Sequence, residues 1–275
     1  MSRGRALGIA AGLAALALLH LGPLAWLLVS SLQPERDLLR FPPTLWPRRV
    51  TAEHYTEILG RGSDFYRALG HSLAIAVATT ALCLALGALG AYALARLRFP
   101  GRRRLYFLVL LTYMLPGVAL LIPTILLLRA LGLVGSYAGL VVSYLPFFLT
   151  LTIWVLRGFF LAVPPDLEQA AQVDGCTRVE ALWRVILPLS APGLGATAII
   201  VFIMTWNEYM YAKVIGSTRF QTLPVYVLTL ANQQFRSDAG ILSAAALVTM
   251  APVVLLVIGF QRLIVAGLTE GALKD

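Results

Sequence analysis

Two short stretches hold the side chains of this sequence that could do chemistry. In TWNEYMYAKV, Trp206, Asn207 and Glu208 set an aromatic ring, an amide and a carboxylate side by side, a group able to bind sugar hydroxyls. A carboxylate within an apolar, membrane-depth helix is costly, which marks it as functional by default. The same Glu208 could brace or gate a bundle, and Trp206 could be an interfacial anchor. The second stretch, VPPDLEQAAQVDGCTRVEALWRVILPLSAPG, carries Glu168 and Asp174, two carboxylates that could meet a basic groove on a partner. His20, His54 and His71 are far apart and lack metal-ligand spacing, so a metal site is not expected. Neither a GxxxxGK[ST] phosphate loop nor a GxSxG elbow occurs, so nucleotide hydrolysis and serine chemistry of those kinds belong elsewhere.

The elements that must position these groups are membrane helices. Of the 275 residues, 59% are hydrophobic and 13% charged, which excludes an ordinary soluble domain. Apolar runs of about 20 residues, the length that crosses a hydrocarbon core, predict six transmembrane helices near 7–31, 70–95, 105–128, 137–162, 187–212 and 240–266. The runs are continuously apolar and lack the alternation of a β-barrel, so the fold class is all-α integral membrane. MSRGR and the long run after it read as a retained first helix, since the run exceeds a signal h-region. Pro23, Pro116, Pro123, Pro146, Pro192 and Pro252 fall inside the runs, and Gly87 and Ala91 form a small-residue pair four apart that permits close helix approach. No repeat relates the two halves.

The net charge of +9 is a topology signal and not a nucleic-acid footprint, because most Arg residues lie just outside the apolar runs. Arg96, Arg98, Arg102, Arg103 and Arg104 in ARLRFPGRRR, without an acid, place that loop in the cytoplasm. Both termini and the loop at 163–188 follow to the same side. The loops 32–69, 129–136 and 213–239 are then external, the first of them long enough to dock a partner, cap the bundle or form a partly ordered surface loop. Cys83 falls in a spanning helix and Cys176 in a cytoplasmic loop, so a disulfide is not expected and both read as small apolar filler.

The loop at 163–188 can be read residue by residue. Pro164 and Pro165 stiffen its entry. Asp166 with Gln169 predicts a capping box opening a short helix, and Gly175 supplies the positive φ that ends it. Thr177 and Glu180 predict a second capping box, with Val179, Leu182, Trp183 and Ile186 on one face of the helix that follows. Pro188 ends or kinks that helix. Ala170 and Ala171 leave a narrow face that another protein can approach closely. A purely structural two-helix re-entrant would carry the same pattern.

This stretch resembles the EAA loop of permease subunits of ABC importers, matched at Glu168, Ala170, Ala171, Gly175, Ile186, Leu187 and Pro188, with Gln169 where the sugar branch commonly has a second acid. GPLAWLLVSSL with Pro23, Trp26 and Ser30, AYALARLRFPGRR, TWNEYMYAKV and QRLIVAGLTEGALKD are similar to segments of the carbohydrate branch, which includes maltose and glycerol-3-phosphate type permeases. His71 stands where that branch often has Asn.

The resemblance covers nearly the whole chain. It implies a type I ABC importer fold as a single permease domain over 1–275, in a bacterial or archaeal inner membrane. Glu168, Ala170, Ala171, Asp174, Gly175 and Pro188 would couple the chain to a partner ATPase. Its partners would be a homologous second permease, an ATPase dimer that holds the ATP and Mg, and an external solute-binding protein. The chain would bind no cofactor and no nucleic acid. A second ATPase contact is implied at the C-terminus, around Arg262, Glu270, Lys274 and Asp275, where a frayed polar tail is the plainer reading.

Two other classes compete with this one. An ion-driven secondary transporter would need paired broken helices and buried acids near the midplane, for which Glu208 alone is little support. An intramembrane enzyme would need a nucleophile and base on neighbouring helices, and nothing marks such a pair.

Overall fold

A computed structural model describes residues 3–38, 40, 46–47, 49–60, 64–216, 220–233 and 239–272. The charged tail residues Lys274 and Asp275, and the side chains of Arg262 and Glu270, lie outside what is described. Among the described residues the chain is helical, with one isolated bridge residue at Phe220. In order, the helices are α1 (Arg3–Ser31), α2 (Glu35–Leu38), α3 (Glu53–Leu59), α4 (Phe65–Arg96), α5 (Arg102–Met114), α6 (Gly117–Ala130) and α7 (Tyr137–Ala162). They continue with α8 (Pro165–Val173), α9 (Arg178–Ala181), a π turn (Leu182–Ile186), α10 (Leu187–Leu189), α11 (Ala191–Trp206), α12 (Met210–Ile215), α13 (Leu223–Gln233) and α14 (Ala239–Ala272).

Four of these helices are long and apolar enough to cross a membrane unbroken: Gly8–Ser31, Phe65–Arg96, Tyr137–Ala162 and Ala239–Gln261. Two bent pairs bring the number to six if each is one span. The continuous span expected at 105–128 is therefore corrected to α5 and α6, which meet at 99°. Leu115 is held in an extended conformation before Pro116, and Pro116 has no N–H to continue the ladder. The span expected at 187–212 is likewise corrected. Its helical core is α11, entered through an 80° bend from Arg178–Leu189 and followed, after Asn207–Tyr209, by the separate helix α12.

The chain divides into two compact units, Met1–Tyr66 with Tyr226–Pro252 and Arg67–Val225 with Val253–Asp275. In the first, the segment after α1 folds back on it. The Thr51 N–H donates to the Leu32 carbonyl at 2.9 Å, the Ser31 and Tyr55 hydroxyls pair at 2.8 Å, and buried His54 Nε2 bonds the Gln33 carbonyl at 2.9 Å. Gly240 lies against the His54 ring where any Cβ would overlap it. The long loop is thus fastened to the helix end that precedes it.

In the second unit α7 is central. Its buried Leu140, Tyr144, Leu156 and Phe160 reach into two apolar clusters. Glycines let two neighbours approach. A Cβ at Gly87 of α4 would overlap Thr152, and one at Gly193 of α11 would overlap the Phe159 ring. Ala91, four residues on from Gly87, is fully buried, as the small-residue spacing predicted.

Gly193→Ala should lower the detergent melting temperature, because overpacking a rigid ring costs about 1–3 kcal/mol. Gly158→Ala in α7, where a Cβ meets open space, should instead be neutral or stabilising by roughly 0.5–1 kcal/mol. Thermal denaturation of the two purified variants checks the contrast.

Candidate functional site

Between α7 and α11 the chain leaves the bundle and makes the loop singled out by its motif. Two prolines in succession force extended backbone at Val163 and Pro164, since the residue before a proline is pushed out of the helical region. Helix α8 then begins with Pro165 in its first turn, where the missing N–H costs nothing. This corrects the expected Asp166–Gln169 capping box: Pro164 occupies the cap position and no side chain bonds the helix start.

The end of α8 matches the expectation at Gly175, which has φ +93°. The Cys176 N–H donates to the Ala171 carbonyl at 2.9 Å and the Gly175 N–H to the Gln172 carbonyl at 3.1 Å. Those two bonds make a Schellman closure, which requires the left-handed residue that glycine supplies. Thr177 and Glu180 form the second capping box in both directions, with Thr177 N–H to Glu180 Oε2 at 2.8 Å and Glu180 N–H to Thr177 Oγ1 at 3.2 Å. These bonds hold the exposed Glu180 carboxyl below the usual carboxylate range.

Beyond α9 the expected single apolar face splits in two. Leu182 and Ile186 are buried between α4 and α7, whereas Val179 and Trp183 are 59% and 62% exposed. At about 100° per residue these two pairs occupy opposite halves of the stripe, and a π turn follows in which the Leu187 N–H reaches back five residues to Leu182. A widened turn just before Pro188 relieves the clash that its ring makes with a regular helix. The bend itself falls two residues later, at Ser190.

The predicted loop residues therefore take two directions. Ala170, Asp174, Gly175 and Pro188 are exposed and Ala171 half-buried, and Val173 between them is 87% exposed. Glu168 instead points inward and is 6% exposed. The expectation that its carboxylate is offered to a partner's basic groove is corrected. Tyr92 of α4 donates to Glu168 Oε1 at 2.6 Å, and Arg96 Nε lies 3.3 Å from Glu168 Oε2 without pointing its N–H at it. Arg96 Nη2 also donates to the Val163 carbonyl at 2.5 Å, which closes the end of α7. Sequence reading placed Tyr92 and Arg96 only as helix end and topology signal. Their separation of four residues puts both on one face of α4, the available hint that they share a partner.

The second constellation is divided: Trp206 is buried, Glu208 half-buried and Asn207 exposed. Trp206 is 2% exposed and stacks on Phe202 at 5.7 Å, so it is not an interfacial ring. Asn207 is exposed and its Nδ2 donates back to the Ile203 carbonyl at 2.9 Å. Glu208 accepts from the Tyr211 N–H at 2.8 Å, the Ala212 N–H at 3.0 Å and the Tyr144 hydroxyl at 2.6 Å. It thereby caps the first turn of α12 and ties it to α7. Tyr211 in turn donates its hydroxyl to the Gly117 carbonyl at 2.8 Å, at the start of α6 beyond the Pro116 bend. Tyr144, Tyr211 and Gly117 were not singled out from sequence, where nothing relates residues so far apart.

The profile of the family described as binding-protein-dependent transport system inner membrane component matches residues 84–270. The trehalose transport system permease protein SugB of Mycobacterium tuberculosis is 41% identical over 92% of this chain and 92% of its own length. The trehalose/maltose transport system permease protein MalG of Thermococcus litoralis is 34% identical over 94% of this chain and 93% of its own. In the solved structures, a chain of a bacterial ABC transporter involved in the import of the acidic polysaccharide alginate superposes with a TM-score of 0.80 at 24% identity, over 95% of this chain and 98% of that one, which is a likeness of fold. By the family match and the extent of these identities, this chain belongs to the inner membrane components of binding-protein-dependent transport systems.

Proposed function

We propose that this chain is the membrane-spanning permease subunit of an ABC importer for a carbohydrate, driven through the loop at 163–188. The observation that carries the reading is that loop's construction. One side of it is anchored in the bundle by Leu182 and Ile186, and the other presents Ala170, Val173, Val179 and Trp183 outward on two helices locked around Gly175. A rigid knob whose exposed apolar and small residues are interspersed with polar ones such as Asp174 is suited to a cleft in another protein. The chain itself catalyses no reaction, and ATP with its Mg belongs to the separate ATPase subunits. Its other partners are a second, homologous permease and an external solute-binding protein. The Arg96–Arg104 loop supports the orientation in which both termini and the 163–188 loop are cytoplasmic. The names of the two relatives, for trehalose and for trehalose or maltose transport, support a sugar or oligosaccharide as the solute.

In this reading, closure of the ATPase dimer displaces the loop, and α11, continuous with it through the π turn and the Ser190 bend, is carried along as a rigid element. An ion-driven mechanism would instead need an acid free to exchange its charge. Glu208 is held by three hydrogen bonds and acts as a brace across the break before α12.

Purified in mild detergent, the chain should carry its ATPase subunits, whose hydrolysis rises when the binding protein is added. Co-purification without that response would count against the importer reading. Gly175→Val should leave the chain inserted but reduce ATP-driven uptake severalfold, since a β-branched residue at this φ costs roughly 1–3 kcal/mol and nothing crowds the site. Uptake into vesicles with the variant present at wild-type level checks this. Glu208→Ala should lower the melting temperature far more than Asn207→Ala, each charge-assisted hydrogen bond contributing about 1.5–3 kcal/mol.

A further inference from the structure

Within α8 the one residue that the bundle buries is an acid, Glu168. An aliphatic side chain would fasten a short helix at less desolvation cost, so a carboxylate here calls for a reason beyond adhesion. Apolar contacts have no preferred direction and let surfaces slide. A carboxylate held by directed donors resists displacement along the interface.

The geometry around Glu168 joins four elements at one point. Its two oxygens reach Tyr92 and Arg96, both on the last turns of α4. Arg96 reaches on to Val163 at the end of α7. The Tyr92 hydroxyl also lies 3.2 Å from the carbonyl of Arg178, the first residue of α9. Helix α4 is further fixed to α7 by Arg157, whose Nε donates to the Leu94 carbonyl at 3.3 Å. The loop thus has two separate links to the bundle. One runs along the chain through the π turn into α11, and the other crosses from Glu168 into α4.

We propose that Glu168, Tyr92 and Arg96 form a charged joint that transmits displacement of the loop to α4, so that α4 moves in step with α11 when the ATPases close. This rests on the importer reading above and assigns the three residues a positioning role within it. Gln169 at the neighbouring position is exposed, which leaves the joint to the single carboxylate. Arg96 Nε has no aligned acceptor in this conformation although Glu168 Oε2 is 3.3 Å away, so a small reorientation of α8 against α4 would add a directed hydrogen bond to the ion pair.

The test uses the assembled transporter in lipid nanodiscs, with its ATPase subunits, second permease and binding protein. The quantity read is the ratio of ATP hydrolysis with binding protein to hydrolysis without it. Glu168→Gln and Arg96→Gln should each reduce that ratio by at least about fivefold, the low end of ordinary allosteric couplings, while basal hydrolysis and assembly persist. Tyr92→Phe should reduce it less. The double variant Glu168→Gln with Arg96→Gln leaves no unpaired buried charge, so its melting temperature should recover toward wild type while the ratio stays low.

Recovery of both in the double variant would show a structural tie only and overturn the inference. So would a wild-type ratio in the single variants, or basal hydrolysis and assembly lost together with the ratio. A wild-type complex whose hydrolysis ignores the binding protein would instead overturn the importer reading on which the joint rests.

Discussion

Inside a hydrocarbon layer no water satisfies a backbone N–H or C=O, so every interruption of a spanning helix must be answered by another group of the protein. This chain interrupts its spans at Leu115–Pro116, at Ser190 and at Asn207–Tyr209. Much of its polar architecture follows from that. The Tyr211 hydroxyl of α12 donates to the Gly117 carbonyl and so ties α12 to the start of α6 beyond the Pro116 bend, and beyond Tyr209 the Tyr211 and Ala212 N–H groups at the start of α12 are met by Glu208. Since Tyr211 belongs to α12, the placing of that helix by Glu208 also sets its tie to α6. Tyr144 attaches Glu208 to α7, the helix around which this unit packs.

The loop outside the bundle answers the same requirement by local means. Its turns close on themselves, by the Schellman bonds at Gly175 and the reciprocal bonds of Thr177 and Glu180, so it needs little from its surroundings to keep its shape. What it borrows from the bundle is anchorage. Leu182 and Ile186 supply this by burial, while Trp183 stays outside. A body that is rigid within itself and joined to the membrane helices at defined points passes displacement on and does not absorb it.

Of the three acids that drew attention, Glu168 and Glu208 are spent on internal ties, whereas Asp174 stays exposed. Charge in such surroundings needs partners that converge on it, and here they come from the chain itself: the Tyr92 hydroxyl with the nearby Arg96 guanidinium for Glu168, and Tyr144 with two backbone amides for Glu208. Residues that look like ligands in a linear sequence turn out to hold helices. The surface left for partners carries small and apolar side chains together with the exposed Asp174 and Arg178.

Composition and periodicity determined the class of this protein unaided. The long apolar runs, the Arg-rich loop between α4 and α5, the close-packing pair Gly87 and Ala91, the glycine turn at 175 and the Thr177–Glu180 box are local or statistical features, and each was legible because its cause lies within a few residues. The breaks were only half legible: the prolines were visible, but which of them stays inside a helix and which divides it was not. Pro123 and Pro146 stay inside helices, while Pro116 separates two. Bracing was one of the readings open for Glu208, but the partners of Glu168 and Glu208 were not legible. A side chain's orientation follows from which donors the tertiary fold brings within 3 Å or so, and those donors lie 76 and 64 positions away along the chain.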